Sequence, residues 1–342
     1  MKKIDWDKPI LGGDGVERSR EEIEKFFIDL FETTITSKLD ELRESLNAEE
    51  ESKFGDYLDE IIIEIHQILI FRPAELEALK NREDEQKRSW RENGIPDEDI
   101  EGFYKKVHTA FNYTKFRKAL LNRLAVVLNV KTCLYCNQQY TIAVGKDPNR
   151  DGTINLYGSD AFLQFDHFFG EKEYPIMSMS LYNLIPSCPC CNQKKSSRHV
   201  NLRLHPYVSD LSSMLRFRIK DQAAFINPKF KNLDLLEVEI DTTEDEVKDF
   251  VESLDLKRRY ARHLDIVQEL EVALYMAPYY NGNFEDIKQI FGQGGGCESE
   301  RLRILQRHFK GFYTDSKDIN KRPLTKFNQD IYAQLCSWND GF

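Results

Sequence analysis

Cys133 and Cys136 in CLYCNQQY, and Cys188 and Cys191 in CPCCNQKK, form two C-x-x-C pairs, each running straight into Asn and Gln. Four thiolates in that spacing suit a closed, tetrahedral zinc site of the structural kind. Fifty-one residues separate Cys136 from Cys188, far more than a compact zinc finger holds. The metal is therefore expected to tie together the ends of an inserted unit, offsetting the entropy of closing so long a loop. Cys190 sits between two of the ligands and is read as a bystander. Cys297 and Cys336 are read as ordinary buried thiols.

Asp166 and His167 stand between the pairs, flanked by Phe165, Phe168 and Phe169. In a strand they would point to opposite faces, so a shared site requires a bend there. Asn183 follows, then Asn192, placed directly after the last cysteine, where a helix should start. A metal-fixed knuckle would hold that carboxamide rigidly.

This order of residues resembles the HNH endonucleases, also known as His-Me finger or ββα-metal nucleases. The likeness rests on Cys133–Cys136, Asp166–His167, Asn183–Leu184, and Cys188–Cys191 with Asn192 and Lys195. It covers about Leu128–His205, with Asn192 where some members carry His. The phrasing around FDHFF, YNLIPSCPCCNQKK and HPY is most similar to HNH proteins of bacterial anti-phage defence, such as the HNH subunit of Septu systems, which works beside an ATPase.

The resemblance implies DNA hydrolysis, with His167 taking a proton from water. It implies Mg²⁺ or Mn²⁺ held by Asp166 and Asn192, whose hard oxygens suit such ions. It also gives Asn183 the task of bracing the loop that carries His167. Lys194, Lys195 and Arg198 are expected on one helix, meeting flanking phosphates. His199 and His205 are spare imidazoles nearby. An RNA-cleaving effector on the same scaffold, or a zinc-stapled binding module that does not cut, are the alternatives; a pure binder has no need of Asp166, His167 and Asn192 together.

Net charge is −10, but it divides as −12 over residues 1–110, +8 over 111–230 and −6 over 231–342. The basic third holds both cysteine pairs, which favours a polyanionic partner there. The acidic arms suit packing on the nuclease or on a protein partner such as an ATPase sensor. Three regions follow: an acidic helical one (1–112), an HNH module (113–230) and a mainly helical one (231–342). With no apolar leader and no membrane-length apolar run, the reading is a cytoplasmic protein without a membrane partner.

The elements that must position these residues are mostly helices. Apolar residues recur at 3–4 spacing from Glu21 to Leu46, and again over Tyr57–Phe71, with a stop at Pro73. The charged run Glu75–Gly94 reads as a solvated helix, followed by helices from Pro96 and over Tyr113–Leu128. A hairpin spans Gln139–Gly158, and LRFRIK and LLEVEI alternate as strands. Helices return after Thr243, over Glu269–Met276 and Glu298–Lys310, and GQGGG is a connector. The fold class is α+β: a small ββα-metal core with a four-cysteine zinc site in a mostly helical chain.

Overall fold

The computed structural model describes residues 1–146, 155–196, 198, 200–220, 236–274, 304, 307–308 and 310–339. It is α+β, mostly helical with four two-stranded antiparallel sheets among the described residues. Two compact units emerge. One comprises Lys3–Val130 with Thr141–Ser209; the other comprises Met1–Lys2, Lys131–Tyr140 and Asp210–Phe342. The charge boundaries near 112 and 230 do not coincide with these packing boundaries.

In the first unit, Ser19 caps helix α1 (Arg20–Ser45) through a capping box with Glu22, which satisfies amide groups the first turn leaves open. Ile23, Phe27, Phe31, Ile35, Leu39 and Leu42 form its buried stripe. Helix α2 (Ala48–Ile70) starts from an Asn47 capping box. Pro73 does end α2, but it also opens α3 (Pro73–Glu92), because a proline at the first helical position lacks only an amide that would be unpaired anyway. α3 is not simply solvated: Leu76, Leu79, Glu83 and Trp90 are buried. Phe54 and Phe103 stack with centroids 4.3 Å apart, with Trp90 edge-on to Phe54. Beside them the Glu83 carboxylate accepts 2.6 Å hydrogen bonds from the hydroxyls of Tyr57 and Tyr104. Burial raises the pKa of Glu83.

Helix α4 (Asp97–Phe111) has three acids in its first turn and ends at Asn112, whose φ of 50° is left-handed. Asparagine tolerates that conformation better than most side chains. Helix α5 (Tyr113–Ala119) then runs through a π-turn (Leu120–Leu124) into α6 (Ala125–Leu128). A short hairpin pairs β1 (Ile10–Leu11) with β2 (Glu17–Arg18). The expected second hairpin is β3 (Ala143–Lys146) with β4 (Asn155–Ala161), its connector lying outside the described residues. Next come β5 (Gln164–His167), β6 (Leu184–Ser187) and helix α7 (Pro189–Lys195), with β5 and β6 antiparallel and in unbroken register.

The second unit holds the segment with Cys133 and Cys136, closed by a bridge between Thr132 and Tyr140. Asn137 (φ 51°) donates to Thr132 Oγ1 and the Ile319 carbonyl and accepts from the Lys326 amide. LRFRIK and LLEVEI supply β7 (Arg216–Ile219) and β8 (Val238–Asp241), which pair with each other. Phe217, Tyr260 and Phe327 pack together beneath them. Helices Asp245–Ser253, Leu256–Tyr260 and Thr325–Asn339 complete the described core. GQGGG, Cys297 and most of Glu298–Lys310 lie outside the described residues, while Cys336 is half-buried rather than buried. No described helix is long and apolar enough to cross a membrane.

Candidate metal centre and catalytic cleft

Cys133, Cys136, Cys188 and Cys191 are all buried, and their Sγ atoms lie within 4.8 Å of one another. Ideal tetrahedral zinc–thiolate geometry places sulfurs about 3.8 Å apart from Zn–S bonds near 2.3 Å, so the cluster could hold a metal such as zinc. Backbone amides approach two of the sulfurs: Gln138 N lies 3.3 Å from Cys136 Sγ, and Cys191 N lies 3.4 Å from Cys188 Sγ. The Arg259 guanidinium lies 3.4 Å from Cys136 Sγ. Such donors moderate the charge that accumulates on thiolates around a metal. Cys190 stands half-exposed outside the cluster.

Cys188 is both a prospective ligand and the N-cap of α7, its sulfur facing the Cys191 amide. Pro189 is the first helical residue, so the helix starts earlier than expected and Asn192 lies inside it. Cys191 and Lys195, four residues apart on one face of α7, are its two buried residues.

The same short strand–strand–helix unit builds a cleft. A cavity of about 440 Å³ is lined by Asp166, His167 and Asn192, together with Tyr113, Gln164 and Glu171. Asp166 and His167 both line it although the strand holds an unbroken register with β6 over Gln164–His167, so the expected bend is not needed within the strand, of which His167 is the last residue. Gln164 and Asp166, two apart, share the other face of the strand. Asn192 Nδ2 donates to Gln164 Oε1 at 2.7 Å. That bond orients the amide, and its Oδ1 has no hydrogen-bond partner among the described residues.

His167 is held from three sides. Its Nε2 lies 2.9 Å from the Ser178 carbonyl, an acceptor only, so the proton sits on Nε2. The Tyr113 ring meets the imidazole edge-on at 4.4 Å, and its hydroxyl donates to the Phe165 carbonyl. Nδ1 lies 3.6 Å from Glu171 Oε2, which is itself 3.7 Å from His108 Nε2. Burial pushes the pKa of His167 down to about 4, against the upward pull of Glu171 and the Ser178 bond. The ring is therefore neutral at pH 7. Burial also raises the pKa of Tyr113.

Asn183 does not line the cavity. Fully buried, it accepts from the Phe169 amide and donates to the carbonyls of Phe169 and Met177. It thereby clamps the segment that follows His167. Its neighbour at Gly170–Tyr174 is pinned to α3, with Lys87 donating to the Glu173 carbonyl and Tyr174 to Asp84.

Two expectations need correction, those for Lys195 and Arg198. Lys195 cannot meet phosphate: it is 1% exposed, 3.1 Å from the Asp166 carboxylate, and donates to the His167 carbonyl at 2.7 Å. Arg198 is exposed but lies beyond the end of α7, after Ser196 turns the chain with φ 49°. Lys194 alone of the three is an exposed helical residue. His205 is also outside the cleft: fully buried, it donates from Nε2 to the Tyr182 carbonyl and accepts at Nδ1 from the Tyr207 amide. His199 lies outside the described residues. Tyr113, Gln164 and Glu171 were missed by motif reading, although the two-residue step from Gln164 to Asp166 was a usable signal.

No protein-family model, curated protein or solved structure matches the chain.

Proposed function

We propose that the chain is a metal-dependent endonuclease of the HNH kind, hydrolysing phosphodiester bonds of DNA, with a structural zinc in the four-cysteine cluster. The observation that carries this reading is the convergence of Asp166, His167 and Asn192 on one cavity, from a strand–strand–helix unit whose helix begins at a cysteine of the cluster. A service in anti-phage defence beside an ATPase partner belongs to the same reading and rests on the sequence likeness.

In this reading His167 Nδ1 accepts a proton from water as the water oxygen bonds to phosphorus. The bond from phosphorus to the 3′-oxygen breaks, and that oxygen leaves with a solvent proton, giving 5′-phosphate and 3′-hydroxyl ends. The Nε2–H bond to Ser178 fixes the tautomer that this needs. Tyr113 and the Asn183 clamp keep the ring in place. The Asp166 carboxylate and the Asn192 Oδ1 are hard oxygen donors lining the same cavity, a donor set that fits Mg²⁺ or Mn²⁺. Such an ion would supply Lewis-acid stabilisation of charge on the phosphoryl and leaving oxygens.

One observation favours the non-catalytic module instead: the Asp166 carboxylate is already neutralised by Lys195. Plasmid nicking in Mg²⁺ or Mn²⁺, with His167→Ala alongside and zinc measured in both, separates the readings. Cleavage by the wild type, lost in the variant at unchanged zinc content, supports the nuclease. Equal cleavage by both overturns the role of His167. No cleavage of DNA or RNA by either leaves the binding module.

A further inference from the structure

With Lys195 committed to Asp166, the cleft needs other cations if a phosphodiester backbone is to enter it. Two of its lining residues qualify, Arg117 and Lys172. Arg117 lies on α5, four residues after Tyr113, and that spacing puts both side chains on one face of the helix. Tyr113 contacts His167 directly, so the face that carries Arg117 is the face turned to the cleft. Lys172 comes from the Gly170–Tyr174 segment, which is fixed by the bonds from Lys87 and Tyr174.

Both cations are unspent. Neither makes a hydrogen bond or ion pair with any described residue, whereas the lysines around them do: Lys87 binds the Glu173 carbonyl, Lys80 pairs with Asp84, and Lys195 pairs with Asp166. Arg117 is also exposed. An unpaired guanidinium at a polar cleft is suited to a phosphate, which it can grip with two parallel hydrogen bonds. Glu171 and Glu173 line the same cavity, so an incoming polyanion is repelled except along the sides these cations occupy. The Glu171 carboxylate is in turn shared between His108 and His167, at 3.7 and 3.6 Å.

We propose that Arg117 and Lys172 form a phosphate clamp that holds the nucleic-acid backbone on either side of the bond facing His167. The clamp rests on the nuclease reading for its substrate, but it is a binding device and can be measured without cleavage. Neither residue falls among the motif positions; Arg117 lies on the helix that leads into the first cysteine pair.

The test measures binding of the full-length His167→Ala chain to fluorescent duplex DNA, single-stranded DNA and RNA of one sequence across a salt series. Each lost phosphate contact should lower the slope of log affinity against log salt by about 0.9 on duplex DNA or about 0.7 on single strands. Arg117→Ala and Lys172→Ala should each show that loss, and Arg117→Lys should retain most of the slope. Lys118→Ala, one residue along α5 and not in the cavity wall, should leave the slope unchanged. Thermal melts at wild-type temperature confirm that the variants fold; if Arg117→Ala does not, Arg117→Gln and Arg117→Lys carry the comparison.

Wild-type slopes in both alanine variants, or an equal loss in Lys118→Ala, overturn the clamp. If the wild type still cuts plasmid, the nuclease reading survives that result. Absence of binding to all three nucleic acids overturns both. The polymer on which each alanine variant loses its full per-contact slope, about 0.9 for duplex or about 0.7 for single strands, identifies which backbone the clamp fits.

Discussion

His167 presents its unprotonated Nδ1 to the Glu171 carboxylate at 3.6 Å while Nε2 donates to the Ser178 carbonyl at 2.9 Å. The backbone bond decides the tautomer, and the carboxylate faces the nitrogen that would receive a proton. A cation formed on that ring is stabilised by Glu171, yet burial keeps the resting ring neutral.

If His167 is the general base, His167→Ala should lower cleavage by roughly 10²–10⁴-fold, the usual contribution of a positioned base. Glu171→Gln should lower it less, because it removes stabilisation of the cation but keeps the base. Wild-type activity should be level between pH 8 and 5, then fall as the ring protonates near its pKa of about 4. Initial rates of plasmid cleavage against pH measure both. A fall already complete at pH 6 would place the essential proton on another group.

His205 gives a stability prediction that is independent of catalysis. Burial pushes its pKa down to about 3, well below the ordinary value near 6.5 of an unfolded histidine. The unfolded chain therefore binds the extra proton first. Stability from this residue is intact above about pH 6.5 and is lost progressively as pH falls toward 3, by up to ~1.4 kcal/mol per pH unit. Thermal melts at steps between pH 8 and 5 should show a plateau and then a decline. His205→Gln should start lower at pH 7.5, since it loses a buried two-sided hydrogen-bond arrangement worth about 1–3 kcal/mol, and should decline less steeply. An identical pH profile in wild type and variant would contradict the assignment.

The four cysteines should act as one unit. Cys133→Ser and Cys188→Ser should each lower bound zinc from one ion per chain to near zero. The loss should be large, because metal-binding energy is folding energy at such sites, and melting temperature should fall with it. Cys190→Ser, outside the cluster, should keep its zinc. Elemental analysis of purified variants beside thermal melts tests this, and full zinc in Cys188→Ser would remove that residue from the ligand set.

The four-cysteine cluster could be read from the chain because each C-x-x-C pair is local in sequence. Cys133 with Cys136, Cys188 with Cys191, and Asp166 with His167 are close neighbours in the chain, although the tautomer and pKa of His167 are set by Ser178, Glu171 and burial. The helices were legible where apolar spacing was regular, as in α1. Glu83 was not: a charged run reads as solvated, and only the hydroxyls of Tyr57 and Tyr104, from two other helices, explain a buried carboxylate there. Tyr113 and Glu171 escaped for the same reason, since their value comes from reaching His167 through the fold. Lys195 was misread although a signal existed. It lies four residues after Cys191, and a buried cysteine of the cluster marks the inner face of so short a helix.

That misreading leads to a prediction about the Asp166–Lys195 pair, the two residues being 2% and 1% exposed. Lys195 also ties α7 to the end of β5 through the His167 carbonyl. Lys195→Met keeps the length of the side chain but takes the ammonium away from a buried carboxylate. Removing one partner of a buried pair typically costs about 3–5 kcal/mol, so denaturant midpoints should fall sharply. Asp166→Asn with Lys195→Met should recover part of that loss, because the buried carboxylate and the ammonium opposite it are then both removed. Lys194→Ala, exposed and adjacent, should fall within ~0.5 kcal/mol of wild type. Chemical denaturation of the single and double variants provides the cycle. Equal stability of wild type and Lys195→Met would mean that the ammonium does not sit on Asp166 in solution, and Lys195 would return to the set of residues available for phosphate.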